Sequence, residues 1–290
     1  MKNWLLAARP KTLPAAIVPV WSGCVLAWKL QGSWNPWLAF CTLAAALCIQ
    51  IATNFFNDAI DARKGADTEK RLGPRRVTAC GLIPRRTVLI AATFFLGLAA
   101  IFGMILFRKA GWPVIWIGLP SLYFAYGYTG GPLPLAYKGL GELFVVIFFG
   151  LVAVGGTILI QTGEWRNEAM LLGLQIGLLS AVLISINNLR DREEDSGTGK
   201  MTLAVRMGER GARVLVWLEV KAAAFAGLLW LKYQLPWLVL ATIPLWTLGM
   251  YLLFRVFNDP IGHAMNRLLA LAGLMLLLFA ACFHAAAGIN

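Results

Sequence analysis

Apolar residues gather along this chain into nine long runs, at about residues 13–30, 37–56, 87–107, 112–128, 140–161, 169–189, 212–231, 236–254 and 268–287, parted by shorter polar stretches. Each is long enough to cross roughly 30 Å of hydrocarbon as a helix, allowing for tilt and for charged ends that reach the surface. The pattern predicts an all-α fold, a polytopic membrane helical bundle of about nine transmembrane helices, with residues 1–290 as one domain. The first run carries Pro14 and Pro19 and follows no small-residue cleavage site. It therefore reads as a retained helix rather than a removed signal peptide.

Composition agrees with the pattern. The chain is 59% hydrophobic and 14% charged, with a mean hydropathy of +0.69, whereas soluble domains are nearer a quarter charged. A net charge of +12 would suggest nucleic acid in a soluble protein. Here the basic residues sit in particular loops, as topology signals and as partners for an anionic ligand, and no nucleic-acid role is expected. With a cytoplasmic N-terminus, that side receives Lys2, Arg9, Lys11, eight Lys/Arg from Arg63 to Arg86, Lys138, six from Arg190 to Arg213, Arg255 and Arg267; the other side keeps Lys29, Arg108, Lys109, Arg166 and Lys232. Trp28, Trp34, Trp37, Trp112, Trp116, Trp165, Trp230 and Trp237 fall at the opposite, outer ends, where amphipathic rings prefer to lie.

Two acid-rich loops stand out on the cytoplasmic side, at about 57–86 and 190–211. Asp58, Asp61 and Asp67 follow the second run directly, and carboxylates so close to hydrocarbon cost about 2.5–3.5 kcal/mol each at mid-helix unless a cation or water meets them. The chain repeats the arrangement: Asn57-x3-Asp61-x3-Gly65 ends the second span and Asn187-x3-Asp191-x3-Asp195 ends the sixth, each with a basic stretch beyond. Four-residue spacing aligns such residues on one helix face. Oxygen-only ligands suit Mg²⁺, which is held by one or two carboxylates plus substrate phosphate. Corresponding helices of two halves often frame one site, so the loops are expected to meet over one cavity.

Acids alone do not bind a diphosphate. Arg63, Lys64, Arg71, Arg75 and Arg76 beside the first cluster, with Arg190, Lys200 and Arg206 beside the second, could supply the cations, although some must be ordinary topology residues. A third segment, 123–142, carries Tyr123, Tyr126, Tyr128 and Tyr137 around Gly130, Gly131, Pro132 and Pro134. It reads equally as a turn with Glu142 complementing the next helix dipole, or as π-faces that stabilise a carbocation. Cys24, Cys41, Cys48, Cys80 and Cys282 form no Cys-x-x-Cys pair, and His263 and His284 have no partner at ligand spacing, so neither type is given chemistry.

These motifs resemble the UbiA superfamily of intramembrane prenyltransferases, most closely its 1,4-dihydroxy-2-naphthoate branch. The match rests on Arg9-Pro-Lys-Thr-Leu-Pro14; on Asn54 to Asp67 with Arg71-Leu-Gly-Pro74; on Tyr128-Thr-Gly-Gly-Pro132 through Gly139-Leu-Gly-Glu142; and on Asn187-Asn-Leu-Arg-Asp191 through Lys200 to Gly208. The last two spans match only in being apolar. Gly65 stands where the superfamily commonly has Asp, which leaves Asp67 or Asp58 to supply that ligand. The resemblance implies a helical bundle of nine spans around a lipid-accessible central cavity; with the Lys/Arg pattern, nine spans place the C-terminus outside a bacterial cytoplasmic (inner) membrane. It also implies Mg²⁺, an all-trans polyprenyl diphosphate donor, and 1,4-dihydroxy-2-naphthoate as an acceptor that loses its carboxylate, giving demethylmenaquinone.

Carried onto this chain, the candidate catalytic residues are Asp58, Asp61, Asp67, Asp191 and Asp195, with Asn57, Asp61, Asn187, Asp191 and Asp195 as the metal shell. The candidate substrate contacts are Lys11, Asn54, Asn57, Arg63, Arg71, Tyr126, Tyr128, Tyr137, Lys138, Asn187, Asn188, Lys200 and Arg206. Metals and cations would stabilise the diphosphate as the allylic bond breaks, and Asp67 or Asp58 could take a proton from the acceptor. Other aromatic acceptors (4-hydroxybenzoate, homogentisate), haem as acceptor, and transport of an anion or a divalent metal remain the rival readings.

Overall fold

The structure, a computed structural model, describes residues 2–65 and 72–289; Asp67 and Arg71 lie outside the described residues. Its elements are α1 (Lys2–Ala8), α2 (Pro14–Gln31), α3 (Pro36–Lys64), α4 (Arg85–Ala110), α5 (Trp112–Gly127), α6 (Gly141–Thr162), α7 (Asn167–Arg190), α8 (Arg192–Gly197), α9 (Leu203–Leu231), α10 (Pro236–Asn258) and α11 (Ala264–Ala287). No strand occurs among the described residues. All nine apolar runs are helical, but not all are independent spans. Seven helices are individually long and apolar enough to cross a membrane, and α1 with α2 makes an eighth, bent by 50°. The ninth, α5, has only 16 residues and is the shortest of the nine.

Helix ends are set by local chemistry. Asn35 caps α3 by accepting from the amide of Leu38, with Pro36 at the first helical position, and Gly65 closes α3 at a φ of 69°. Asp61 therefore lies in the last turn of a long apolar helix, at its polar end. Thr202 caps α9 through the amide of Val205. At the other end of the bundle, Gln161 of α6 accepts from the amide of Asn35 and donates to its carbonyl, tying the α2–α3 turn to α6.

Burial separates a centre from a rim. The apolar window of α7 is 72% buried and that of α4 only 17%, so α7 is the internal post and α4 faces outward. Ile90, Phe94, Ile101 and Met104 of α4 are exposed; a contiguous apolar face of that kind is covered by lipid. The main core joins α2, α6, α7, α9, α10 and α11 through residues such as Leu26, Ile158, Leu179, Val216, Leu252 and Phe279. On the other side the core is split. One cluster ties α1, α3 and α4 together near the Asp-rich end (Phe55, Ala59, Val88), and a smaller one joins α3, α4 and α6 at the far end (Leu38, Cys41, Leu106, Ile160).

Between these two clusters lies an apolar cavity of about 320 Å³, walled by α2 to α6. Trp230 differs from the anchor expected at its position: it is fully buried, and its indole donates to Gln175 at 2.9 Å. Its place at a helix end suggested a membrane-surface ring, but a buried polar partner holds it inside the bundle.

Candidate active site

The polar ends of α3 and α7 come together. From α3, the Asp61 carboxylate accepts a 2.8 Å hydrogen bond from the hydroxyl of Tyr137. Lys64, one turn on, donates to the carbonyl of Thr129 at 2.8 Å and lies 3.7 Å above the Tyr137 ring. From α7, Asp191 holds Arg190 in a two-pronged ion pair at 2.6 and 2.7 Å. Asn187 accepts from the same guanidinium at 2.9 Å and donates to Asp191 at 3.4 Å. Asp195 sits on α8, 3.2 Å from the Lys200 ammonium.

The two clusters lie close enough for each to act on the other's charges. Burial pushes the Asp195 carboxyl up to about 6; Lys200 opposes that rise, while Asp191 and Asp61 add to it. Burial works against the charge of Lys200, yet Asp195, Asp61 and Asp191 together hold its ammonium above its ordinary value. Each loop thus feels the charges of the other, as the repeated motif led one to expect. Tyr128 borders the same group, near Glu142, Asp61 and Asp195. It also lines the apolar cavity, so the cavity opens below the carboxylates.

Other residues singled out from the sequence go elsewhere. Asp58 is buried and accepts from the amides of Val77 (3.2 Å) and Thr78 (2.9 Å), so both of its oxygens anchor the first loop. Asn54 donates to the carbonyl of Ala8 and to Thr12, pinning the bend between α1 and α2. Asn57 accepts from Arg9 at 3.3 Å. Asn188 donates to Glu142 at 2.9 Å. Lys11, Arg63 and Lys138 are exposed, and exposed Arg206 donates to the Met201 carbonyl. Tyr126 is 40% exposed and packs edge-on against Phe56. The structure thus brings Asp61, Tyr137, Tyr128, Asn187, Asp191, Asp195 and Lys200 together, and leaves Lys11, Arg63 and Lys138 on the surface.

The donor set suits a hard divalent cation. Among the described residues no three acidic, His or Cys side chains converge on one point, so the protein would supply a partial shell and phosphate oxygens the remainder. Asp195 Oδ2 is buried and has no hydrogen-bond partner. An orphaned carboxylate oxygen close to two further carboxylates, Asp61 and Asp191, fits such a ligand.

A family model, the UbiA prenyltransferase family, matches residues 16–280. The chain belongs to the UbiA prenyltransferase family. It is 35% identical over 267 residues to the 1,4-dihydroxy-2-naphthoate octaprenyltransferase of Haemophilus influenzae, covering 88% of this chain and 84% of that one. It is 38% identical over 247 residues to the enzyme of the same name from Mycobacterium tuberculosis, covering 83% and 82%. In fold it is similar to a UbiA homolog from Archaeoglobus fulgidus bound to DMAPP and Mg²⁺, with a TM-score of 0.68 and 14% identity over 99% of this chain and all of that one.

Some contacts of this UbiA-family site were not singled out. Asn266 of α11 accepts from Arg190 at 2.7 Å and donates to the carbonyl of Leu72 at 3.0 Å, so the last span links both loops. Glu142, read as a dipole partner, takes Asn188 on one oxygen while its other is buried and unpartnered. On the same face of α7, Ser185 donates to buried Glu219 of α9. Glu219 is a charged residue inside an otherwise apolar span, and that was the available signal; Asn266, at the polar start of the last helix beside Arg267, gave none.

Proposed function

We propose that this chain transfers the prenyl group of an all-trans polyprenyl diphosphate to 1,4-dihydroxy-2-naphthoate, with loss of the acceptor's carboxylate, diphosphate and carbon dioxide being released. The observation that carries the reading is the meeting of Asp61, Asp191, Asp195 and Lys200 at the mouth of an apolar cavity, in a chain similar over most of its length to naphthoate octaprenyltransferases. The cavity takes the hydrocarbon tail and the polar cluster takes the diphosphate.

Asp61, Asp191 and Asp195, with Asn57 and Asn187, would each contribute to partial shells for Mg²⁺, and the metal would supply charge neutralisation of the diphosphate leaving group. Lys200 and Lys64 add fixed positive charge where negative charge develops. Tyr128 presents a phenol face, with Phe144 and Phe148, to the cavity where the allylic carbon would lie. An aromatic wall favours a cationic carbon and keeps water from intercepting it. With Asp58 committed to two amides, accepting the acceptor's proton falls to Asp67.

Lys/Arg and Trp patterning support placing the Asp-rich end in the cytoplasm of a bacterial cell, with the N-terminus inside and the C-terminus outside. Purified protein given farnesyl diphosphate and 1,4-dihydroxy-2-naphthoate, with Mg²⁺ or with EDTA, should form a prenylated, decarboxylated naphthoquinone by mass spectrometry only in the first case. Product from 4-hydroxybenzoate or homogentisate instead, or none from folded protein, overturns the assignment of the acceptor or of the reaction respectively.

A further inference from the structure

A polar side chain inside a membrane span is costly and calls for a partner or a function. On α3 four such residues share one face, since Asp61, Asn57, Asn54 and Gln50 follow one another at spacings of four, three and four. Three of them have been met: Asp61 accepts from Tyr137, Asn57 accepts from Arg9, and Asn54 pins the α1–α2 bend. Gln50 is the deepest, about 16 Å along the helix from Asp61, and only 7% of it is exposed.

Its amide is held in one orientation. The Thr12 hydroxyl donates its single proton to the carbonyl of Arg9 at 2.9 Å, so towards other groups it can only accept. It accepts from Asn54 Nδ2 at 3.0 Å and from Gln50 Nε2 at 3.2 Å. Gln50 thus turns its nitrogen to Thr12, and among the described residues its buried Oε1 has no partner. Gln50 also lines the apolar cavity. Four other polar side chains in that wall, Thr42, Thr53, Ser121 and Thr157, each donate to a carbonyl one turn back. Gln50 Oε1 is different, a buried acceptor in need of a donor.

The two substrates of the reaction differ in their ability to supply one. An ionised polyprenyl diphosphate carries acceptor oxygens and a hydrocarbon tail, with no proton to donate. The naphthoate has two hydroxyls. The one beside its carboxylate closes an internal hydrogen bond, as ortho-hydroxy carboxylates do, whereas the 4-hydroxyl is free. We propose that Gln50 Oε1 accepts a hydrogen bond from the 4-hydroxyl of the naphthoate and so fixes the acceptor ring against α3. The inference rests on the prenyl-transfer reading above. The carboxylate, an anion, stays towards the cations of the site, while the remote hydroxyl reaches down the polar stripe of α3. The terminal torsion of glutamine is soft, so Oε1 can turn to meet the ring. An acceptor without that hydroxyl leaves the buried oxygen unpaired and is disfavoured for that reason.

The test uses the purified full chain with Mg²⁺, farnesyl diphosphate and 1,4-dihydroxy-2-naphthoate, with 1-hydroxy-2-naphthoate, which lacks only the 4-hydroxyl, as a competing ligand. In the parent the competitor's inhibition constant should exceed the KM of the dihydroxynaphthoate by about tenfold; equal values overturn the contact without recourse to any variant. Gln50→Leu should raise the KM of the dihydroxynaphthoate about tenfold. It should leave the competitor's inhibition constant and the KM of farnesyl diphosphate within about twofold of the parent. Gln50→Met, closer to glutamine in length, serves where leucine impairs folding. Equal weakening of both naphthoates, or an unchanged KM in a folded variant, overturns the contact while leaving the reaction in place. A parent chain that prenylates no naphthoate overturns the reaction itself, and the contact with it.

Discussion

The guanidinium of Arg190 closes on the carboxylate of Asp191, its own neighbour in sequence, with Nε and Nη2 at 2.6 and 2.7 Å from the two oxygens and both side chains almost wholly buried. Asn187 and Asn266 hold the other edges of that guanidinium. Removing one partner of a buried pair leaves an uncompensated charge, at about 3–5 kcal/mol. Arg190→Ala should therefore lower the unfolding temperature in detergent markedly. Asp191→Asn also leaves the Arg190 charge uncompensated and should lower the unfolding temperature too; the fraction that stays folded should show no turnover, and retained turnover would remove Asp191 from the metal shell.

Lys200 has the opposite character, being held in charged form by three carboxylates around it. Loss of one preorganised donor to a developing anion costs about 10²–10³ in kcat. Lys200→Met should show a loss of that order, with a raised KM for the diphosphate donor and little change for the naphthoate. Steady-state kinetics varying each substrate in turn will show whether the effect falls on the donor.

Asp58 separates structure from chemistry. Its two oxygens satisfy the amides of Val77 and Thr78, and an unsatisfied buried donor costs about 1–3 kcal/mol. Asp58→Ala should destabilise the fold, whereas Asp58→Asn, which keeps one acceptor, should fold and retain the parent's Mg²⁺ dependence. A rightward shift of the Mg²⁺ activation curve in Asp58→Asn would return this residue to the metal shell.

Tyr137 joins the site through its hydroxyl on Asp61 and its ring under Lys64. Hydrogen bonds to charged groups contribute about 1.5–3 kcal/mol, and a cation over an aromatic face about 0.5–2. Tyr137→Phe should lose only the first and Tyr137→Leu both. Turnover and thermal stability should fall in that order, and equal effects of the two variants would show that the ring contact is inert.

Much of the architecture was legible because lipid-facing helices must be apolar along their whole length. Even α5, too short to count as a span by itself, announced its place through Trp112 and the tyrosines beyond it. The Asn-x3-Asp repeat likewise pointed to the two helix ends that the fold brings together, since helical spacing and a helix end fix where those oxygens can lie. What sequence could not assign was each polar group's partner. Asp58 and Asp61 are three residues apart and chemically alike, yet one meets backbone amides and the other Tyr137. Asn54 looked like a substrate contact and instead holds the α1–α2 bend. Asn266 reaches Arg190 across 76 positions of chain, and only the fold brings them together.

The division of the apolar core into a large cluster on one side and two small ones above and below the cavity also determines how the protein behaves when empty. A gap of this size forfeits side-chain contacts along its wall, so α4 and α5 are held at their ends and underpacked at their middles. Amide hydrogens at mid-height in those two helices should then exchange sooner than those of α7, and a hydrocarbon chain in the gap should slow them. The donor's tail in this sense completes the fold, and the choice of lipid or detergent surrounding the purified protein becomes part of its stability.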